Sequence, residues 1–116
     1  MITIDNITAN TGDFPLGDVT HMGVGKMLIQ TRLLSGSGLT WGVALRGSGS
    51  GATPERAQSV NKLTQAAVTA ATAITPTSAI QLHEIDCGGC EVFIRILGNT
   101  TNGVMEVRAW PLTQGA

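Results

Sequence analysis

The chain has 116 residues, of which 42% are hydrophobic and only 13% charged, and its formal net charge is −1. This length suits one domain with a single core, and the hydrophobic share argues against wholesale disorder. The basic residues are scattered from Lys26 to Arg108 without any run, which argues against nucleic acid as a partner because phosphates require clustered cations.

The first predicted strand lies at the N-terminus, where Ile2, Ile4 and Ile7 are interspersed with polar residues. The N-terminal residues contain neither a basic region nor a continuous apolar region, so no signal peptide is predicted. Residues from about 8 to 25 are predicted to be loop-rich because turn-forming residues dominate their first half. No stretch approaches the roughly 20 apolar residues that span a bilayer, so we expect synthesis in a reducing cytoplasm and no membrane partner.

Two further strands are predicted at residues 26–34 and 40–46, where apolar and polar side chains alternate. Between them, residues 35–38 read Ser-Gly-Ser-Gly and are predicted to reverse the chain. The apolar face of the second strand consists of Trp41, Val43 and Leu45.

A flexible surface loop is predicted next, within the domain, because its Gly/Ser composition is typical of mobile linkers. It lacks the lysine and the flanking helix pattern of a phosphate-binding loop. Loops held on a rigid scaffold often carry binding contacts, so this loop is the candidate partner-contact site. Its residues are Gly47, Ser48, Gly49, Ser50, Gly51, Ala52 and Thr53.

The segment 54–76 supports two interpretations. Thr53, Pro54 and Glu55 form the start signal of a helix, with an N-cap, a proline at the first position and an acidic first turn. Residues 68–75 are instead rich in β-branched side chains, which favour a strand. We therefore expect a short helix from Pro54 to Gln65, followed by an extended segment that ends near Pro76.

The second half of the chain predicts an antiparallel meander of three strands, at residues 80–85, 91–97 and 104–110. Tight turns at 86–90 and 99–103, both rich in Gly or Asn, are expected to join them. One apolar face of the second strand is expected to pack against the face that carries Trp41, and it consists of Val92, Ile94 and Ile96.

Cys87-Gly88-Gly89-Cys90 matches the C-x-x-C pattern of redox pairs and zinc sites. The strand alternation after Cys90 differs from the helix of a redox pair, and a zinc site would need both His21 and His83. A cross-hairpin disulfide is sterically open, since paired residues beside a turn have Cα atoms about 5.5 Å apart, but a reducing compartment disfavours it. The preferred interpretation is that two glycines form the turn and the cysteines flank it.

No catalytic signature occurs in the chain, so we do not expect an enzyme. Glu84, Asp86 and Glu91 cluster near the predicted hairpin tip and would suit Ca²⁺, although carboxylates at a turn are more commonly solvated. We therefore predict no metal and no cofactor. Two triplets fit the glycosylation pattern, but without a secretory signal they carry no weight.

From Lys26 to Trp110, the order of these features resembles small β-sandwich domains in structural proteins of tailed bacteriophages and prophages. Arg46-Gly47-Ser48 and Val92-Phe93-Ile94-Arg95-Ile96 carry most of the resemblance. The chain differs from that pattern in having no tyrosine and in its Cys-Gly-Gly-Cys turn. The resemblance implies a jelly-roll-like sandwich that serves as a capsid decoration (cement) protein or as a module of a tail or fibre.

Together, these observations predict one all-β domain over residues 1–116, an antiparallel β-sandwich with a short helix in the middle. The resemblance implies a virion structural protein on the capsid surface, made in the host cytoplasm, whose partner is the major capsid protein. The low charge favours an oligomer that hides uncharged surface, and we expect a homotrimer. The alternative is a carbohydrate- or receptor-binding module of a tail or fibre, in which Trp41 and Trp110 are the only aromatic platforms.

Overall fold

The computed structural model describes residues 2–16 and 24–113, and within these ranges the chain forms β-strands and no helix. The all-β antiparallel class predicted from the sequence is therefore confirmed. The strands are β1 (Ile2–Ile7), β2 (Gly12–Pro15), β3 (Val24–Gly47), β4 (Glu55–Arg56), β5 (Ser59–Asn61), β6 (Ala67–Val68), β7 (Gln81–Asp86) and β8 (Cys90–Thr113).

The fold is built on one long antiparallel ribbon of β3 and β8. The two strands have 24 residues each and pair from Val24 with Thr113 to Gly47 with Cys90. At about 3.3 Å per residue, a straight strand of this length would reach roughly 80 Å. The longest dimension of the molecule is only 39 Å, so the ribbon must bend back on itself.

The bend lies where the register shifts, between residues 33 and 41 of β3 and across the facing part of β8. Gly36, Gly38 and Asn102 all have positive φ there. In β8, the Asn99 side chain stabilises the bend through two hydrogen bonds to Gly103. Its Nδ2 donates to the Gly103 carbonyl at 2.9 Å, and its Oδ1 accepts from the Gly103 amide at 2.7 Å. The predicted chain-reversing turns at 35–38 and 99–103 are therefore wrong. Glycine, serine and asparagine there form bulges within continuous strands.

This bend divides one continuous sheet into two half-sheets. The first half-sheet contains residues 24–33 of β3 and 104–113 of β8. In it β1 lies beside β8, β7 lies beside β3, and β5 and then β6 follow β7. The second contains the remaining halves of the ribbon, with β2 beside β8 and β4 beside β3. The ring of Trp41 from the second half-sheet meets the ring of His83 from the first, with centroids 5.5 Å apart. The two inner faces thus oppose each other as in a sandwich.

One hydrophobic core fills the space between the half-sheets. The paired residues Trp41 and Ile96, and Val43 and Ile94, point inward from neighbouring strands and are almost fully buried. The prediction that these two apolar faces pack against each other is therefore wrong in its geometry, because they lie side by side and form one continuous face of the second half-sheet. Burying each large apolar side chain contributes about 1.5–3 kcal/mol. The other buried core residues are Ile7, Leu16, Met27, Ile29, Leu39, Ile74, Ile85, Cys87, Val92, Met105, Val107 and Ala109.

The predicted meander in the second half of the chain is wrong in its pairing. β7 pairs with β3 and β5, and β8 begins on the other half-sheet. The turn at residues 87–90, closed by the Cys90 amide donating to the Cys87 carbonyl at 2.9 Å, thus carries the chain between the half-sheets. Residue alternation identifies a strand and its buried face, but it does not identify the strand's partner.

The predicted helix from Pro54 to Gln65 is also wrong, because β4, β5 and a turn occupy this segment. An isolated helix of this length is marginal unless it buries one face, and Leu63, which would lie on that face, is 61% exposed. Pairing with the edges of β3 and β7 satisfies the backbone instead. The extended segment expected up to Pro76 contains β6 and a bridge from Ile74 to Trp41.

At the N-terminus, the predicted first strand is confirmed as β1, and a register shift separates Ile4 from Ile7. The expected loop-rich segment from 8 to 25 contains a strand, β2, which pairs with β8 through residues 93–96. Leu16 follows β2 and is fully buried. Residues 17–23 of that prediction, including His21, lie outside the described residues.

Candidate functional site

The candidate contact loop, residues 47–53, is exposed along its whole length. It leaves the end of β3 beside the start of β8, and the Ser48 amide donates to the Gly89 carbonyl at 3.0 Å. The loop and the turn at residues 87–90 therefore lie next to each other. We call these two segments together the end surface of the domain.

The contact loop is held in place by an ion pair at its base. Arg46 Nε donates to Glu91 Oε2 at 2.6 Å, and the other carboxylate oxygen accepts from the Gly49 amide at 3.1 Å. Arg46 Nη1 also donates to the Ala52 carbonyl at 3.2 Å. Both ends of the loop are thus connected to the long ribbon through charged hydrogen bonds, which are stronger than neutral ones.

The outward face of the second half-sheet carries a small apolar layer beside this loop. Phe93 and its cross-strand partner Ala44 point outward but are 7% and 0% exposed. The Arg46 guanidinium lies 5.0 Å from the centre of the Phe93 ring. Arg95 donates to the Pro54 carbonyl at 2.6 Å on the same face. The segment leading out of the contact loop is therefore fixed to the sheet.

The two cysteines are free thiols that flank a turn, as predicted, but the turn does not close a hairpin, because the strands on either side of it, β7 and β8, do not pair. Cys87 belongs to the hydrophobic core, and burial, with smaller effects of Cys90 and Asp86, raises its pKa. A redox-active cysteine instead needs a lowered pKa. Cys90 is partly exposed, and its thiol donates to the Gly88 carbonyl at 3.7 Å.

The zinc and calcium alternatives both require a cluster of metal ligands. The described residues contain no group of three His, Cys, Asp or Glu side chains able to hold a metal ion. His83 is 2% exposed and packs against Trp41 in the core. Glu84 forms ion pairs with Lys62 at 3.1 Å and Lys26 at 3.3 Å, and hydrogen bonds from these lysines lower its pKa. Glu91 is engaged by Arg46, so these carboxylates bind cationic side chains of the same chain.

A cavity of about 300 Å³ lies between the end of β3 and strands β5 and β7. This volume is at the lower end of small-molecule pockets. Sequence reasoning missed the cavity, because it depends on how β4 and β5 dock against the ribbon. It is lined by Leu45, Ala57, Gln58, Ser59, Val60, Glu84 and Asp86.

The two tryptophans occupy different environments. Trp41 is fully buried in the core, so it offers no platform for a sugar. Trp110 is partly exposed and pairs with Leu28 on the outward face of the first half-sheet. The carbohydrate-binding alternative therefore retains one of its two aromatic platforms.

No helix able to cross a membrane occurs in the part of the chain that the structure describes. No family model, no curated protein and no solved structure matches the chain.

Proposed function

We propose that this chain is a virion structural protein, a decoration (cement) protein that binds between capsid subunits of a phage-like shell through its end surface. The observation that carries the proposal is the state of the contact loop. It is exposed and formed of Gly, Ser, Ala and Thr, yet charged hydrogen bonds fix it to the ribbon.

A preorganised loop favours binding because less conformational entropy is lost when the complex forms. The loop has no charged side chain. Below it, the charges of Arg46 and Glu91 pair with each other. Such a surface suits close packing against another protein. The charged share of 13% for the whole chain, against about 25% in typical domains, supports the same conclusion.

The mechanism is mechanical. A bent ribbon with one continuous core resists deformation, and bound copies add buried area between neighbouring capsid subunits. Stable interfaces bury about 1,200–2,000 Å² in total, which exceeds what one short loop supplies. We therefore propose a homotrimer that presents several end surfaces to the major capsid protein on the virion surface, after synthesis in the host cytoplasm.

Sedimentation of particles made by the genome that encodes this chain tests the proposal. The chain is expected to co-sediment with capsids and to be absent from isolated tails. Co-sedimentation with tails alone would support the fibre or tail module instead, and absence from both fractions would refute a virion role.

A matched pair of variants then tests the surface. Ala52 and Ala66 are both exposed alanines, and only Ala52 lies in the contact loop. Ala52→Glu is expected to reduce capsid occupancy at least tenfold, because a buried unpaired charge is costly at an interface. Ala66→Glu should leave occupancy unchanged. Equal occupancy of the two variants would contradict a role for the end surface.

A further inference from the structure

The core contains an unusual group of polar atoms that are buried and form no hydrogen bond with the described residues. They are Thr31 Oγ1, Trp41 Nε1, Gln81 Oε1 and both ring nitrogens of His83. Thr31, Trp41 and His83 are at most 2% exposed. Buried polar groups in native proteins nearly always have a partner, so each such atom requires an explanation.

These four side chains are neighbours. Thr31 and Gln81 are directly opposite each other on β3 and β7. His83 lies two residues further along β7 and therefore on the same face as Gln81. The His83 ring meets the Trp41 ring at an interplanar angle of 88°. We call this group the core polar cluster, and it joins the first half-sheet to the second.

The hydrogen-bonding capacities within the cluster are mixed. Trp41 Nε1 only donates and Gln81 Oε1 only accepts, whereas the Thr31 hydroxyl does both. Burial lowers the pKa of His83, so its ring is neutral, with one donor and one acceptor. A hydrogen bond orients the Gln81 side-chain amide, because its Nε2 donates to the Thr75 carbonyl at 3.2 Å. The other amide atom, Oε1, is buried.

An edge-to-face contact between Trp41 and His83 can satisfy one N–H group through the partner's ring. It leaves the acceptors on Gln81 and His83, and the Thr31 hydroxyl, without a partner. A small molecule that both donates and accepts is needed to satisfy them. Water does this, and buried waters typically make about three hydrogen bonds to such groups.

We propose that the core polar cluster binds one or two internal water molecules that bridge the two half-sheets. Globular proteins hold on the order of one buried water per 27 residues, so a site of this kind is expected in a chain of this length. Hydrogen bonds to this water are directional, so they would fix the orientation of one half-sheet relative to the other, which apolar packing alone does not do.

A high-resolution crystal structure of the unmodified protein is the first test. Ordered water within hydrogen-bond distance of His83 and of Thr31 or Gln81 is expected. A cluster without water density near any of these atoms would overturn the proposal.

Thr31→Val supplies an independent test, because valine has nearly the shape of threonine without the hydroxyl. Losing a water-bonded hydroxyl should raise the unfolding equilibrium constant about five- to tenfold in chemical denaturation. A dry, unpaired hydroxyl would give the opposite result, a more stable variant, and would refute the proposal. Thr40→Val is the matched control, since Thr40 is only half-buried on the same strand, and little change is expected there.

Discussion

Gly36 lies so close to Asn102 that a β-carbon added at Gly36 would overlap the Asn102 carbonyl oxygen. This contact joins the two strands of the ribbon where both of them bend. Gly36 also has a φ of 72°, which L side chains rarely adopt. The position therefore requires glycine for its backbone conformation and for the close approach of the partner strand.

Gly36→Ala is accordingly expected to destabilise the protein by about 2–4 kcal/mol, from backbone strain plus overpacking. Gly49→Ala is the control, because Gly49 has φ 73° and open space around its added β-carbon. It should cost only the conformational strain, about 1–2 kcal/mol. Urea denaturation of both variants gives the two values, and equal values would mean that the Asn102 contact does not constrain the bend.

The core of the second half-sheet is tested by Ile94→Ala. Ile94 is 0% exposed and pairs with Val43, so we expect a loss of about 2–5 kcal/mol in the free energy of unfolding. Leu97→Ala, on the same strand at a position 37% exposed, should cost less than about 1 kcal/mol. A reversed order of the two losses in urea denaturation would contradict the assigned core face.

The sequence predicted the strands and the core more successfully than the connections between strands. Alternation identified the inward residues Trp41, Val43 and Ile94 correctly, because the two faces of a strand are distinguished by local order alone. It did not identify the partners of β7, since pairing is decided by residues far away in the chain. Glycine-rich segments were ambiguous for a related reason, because the same residues suit a reversing turn and a bulged bend.

In the candidate site, too, local features could be predicted from the sequence and contacts between distant residues could not. The exposure of residues 47–53 follows from their composition and was predictable. The anchor Glu91 was not, because it lies 42 positions from Gly49 and reaches it only through the ribbon pairing. The cavity near Leu45 was not predictable either, because it arises where β5 docks on β7. The sequence predicted a helix for this segment from Pro54 and Glu55, but its backbone pairs with the edges of β3 and β7 instead.

Glu91→Gln tests the anchoring of the contact loop. It removes the charge that pairs with Arg46 and weakens the bond to the Gly49 amide, so stability should fall by about 1 kcal/mol. Amide hydrogen exchange in residues 48–53 should become faster, while exchange in the Met27–Thr31 part of β3 changes little. Unchanged exchange in the loop would show that the ion pair does not hold it.

The cysteines are expected to respond differently to substitution. Cys87→Ser places a hydroxyl in the hydrophobic core, where Cys87 is 2% exposed, and should cost about 1–3 kcal/mol. Cys90→Ser, at a partly exposed position, should change stability by less than about 0.5 kcal/mol. Thermal denaturation with and without a reductant should coincide, and a large decrease in Tm on reduction would reveal a disulfide.

Stability is expected to fall on acidification in two ranges. The folded core lowers the pKa of His83, so the unfolded chain binds more protons, and stability is lost as pH decreases below about 6.5. The Glu84 contribution is complete above its ordinary pKa of 4.5 and is lost as pH falls through its lowered folded value. Tm measured from pH 3 to 8 should show both decreases, and His83→Gln should abolish the upper one alone.

The ribbon also determines when the chain can fold. Arg32 on β3 forms its ion pair with Glu106 on β8, 74 positions later. Contacts at such separations slow folding. During synthesis β3 also remains without its main partner until β8 leaves the ribosome, and residues 24–33 of β3 wait for the last residues of β8. During that interval a long apolar strand is available to other nascent copies. Yield in the cell should therefore depend on chaperone supply and expression rate more strongly than the stability of the finished protein suggests.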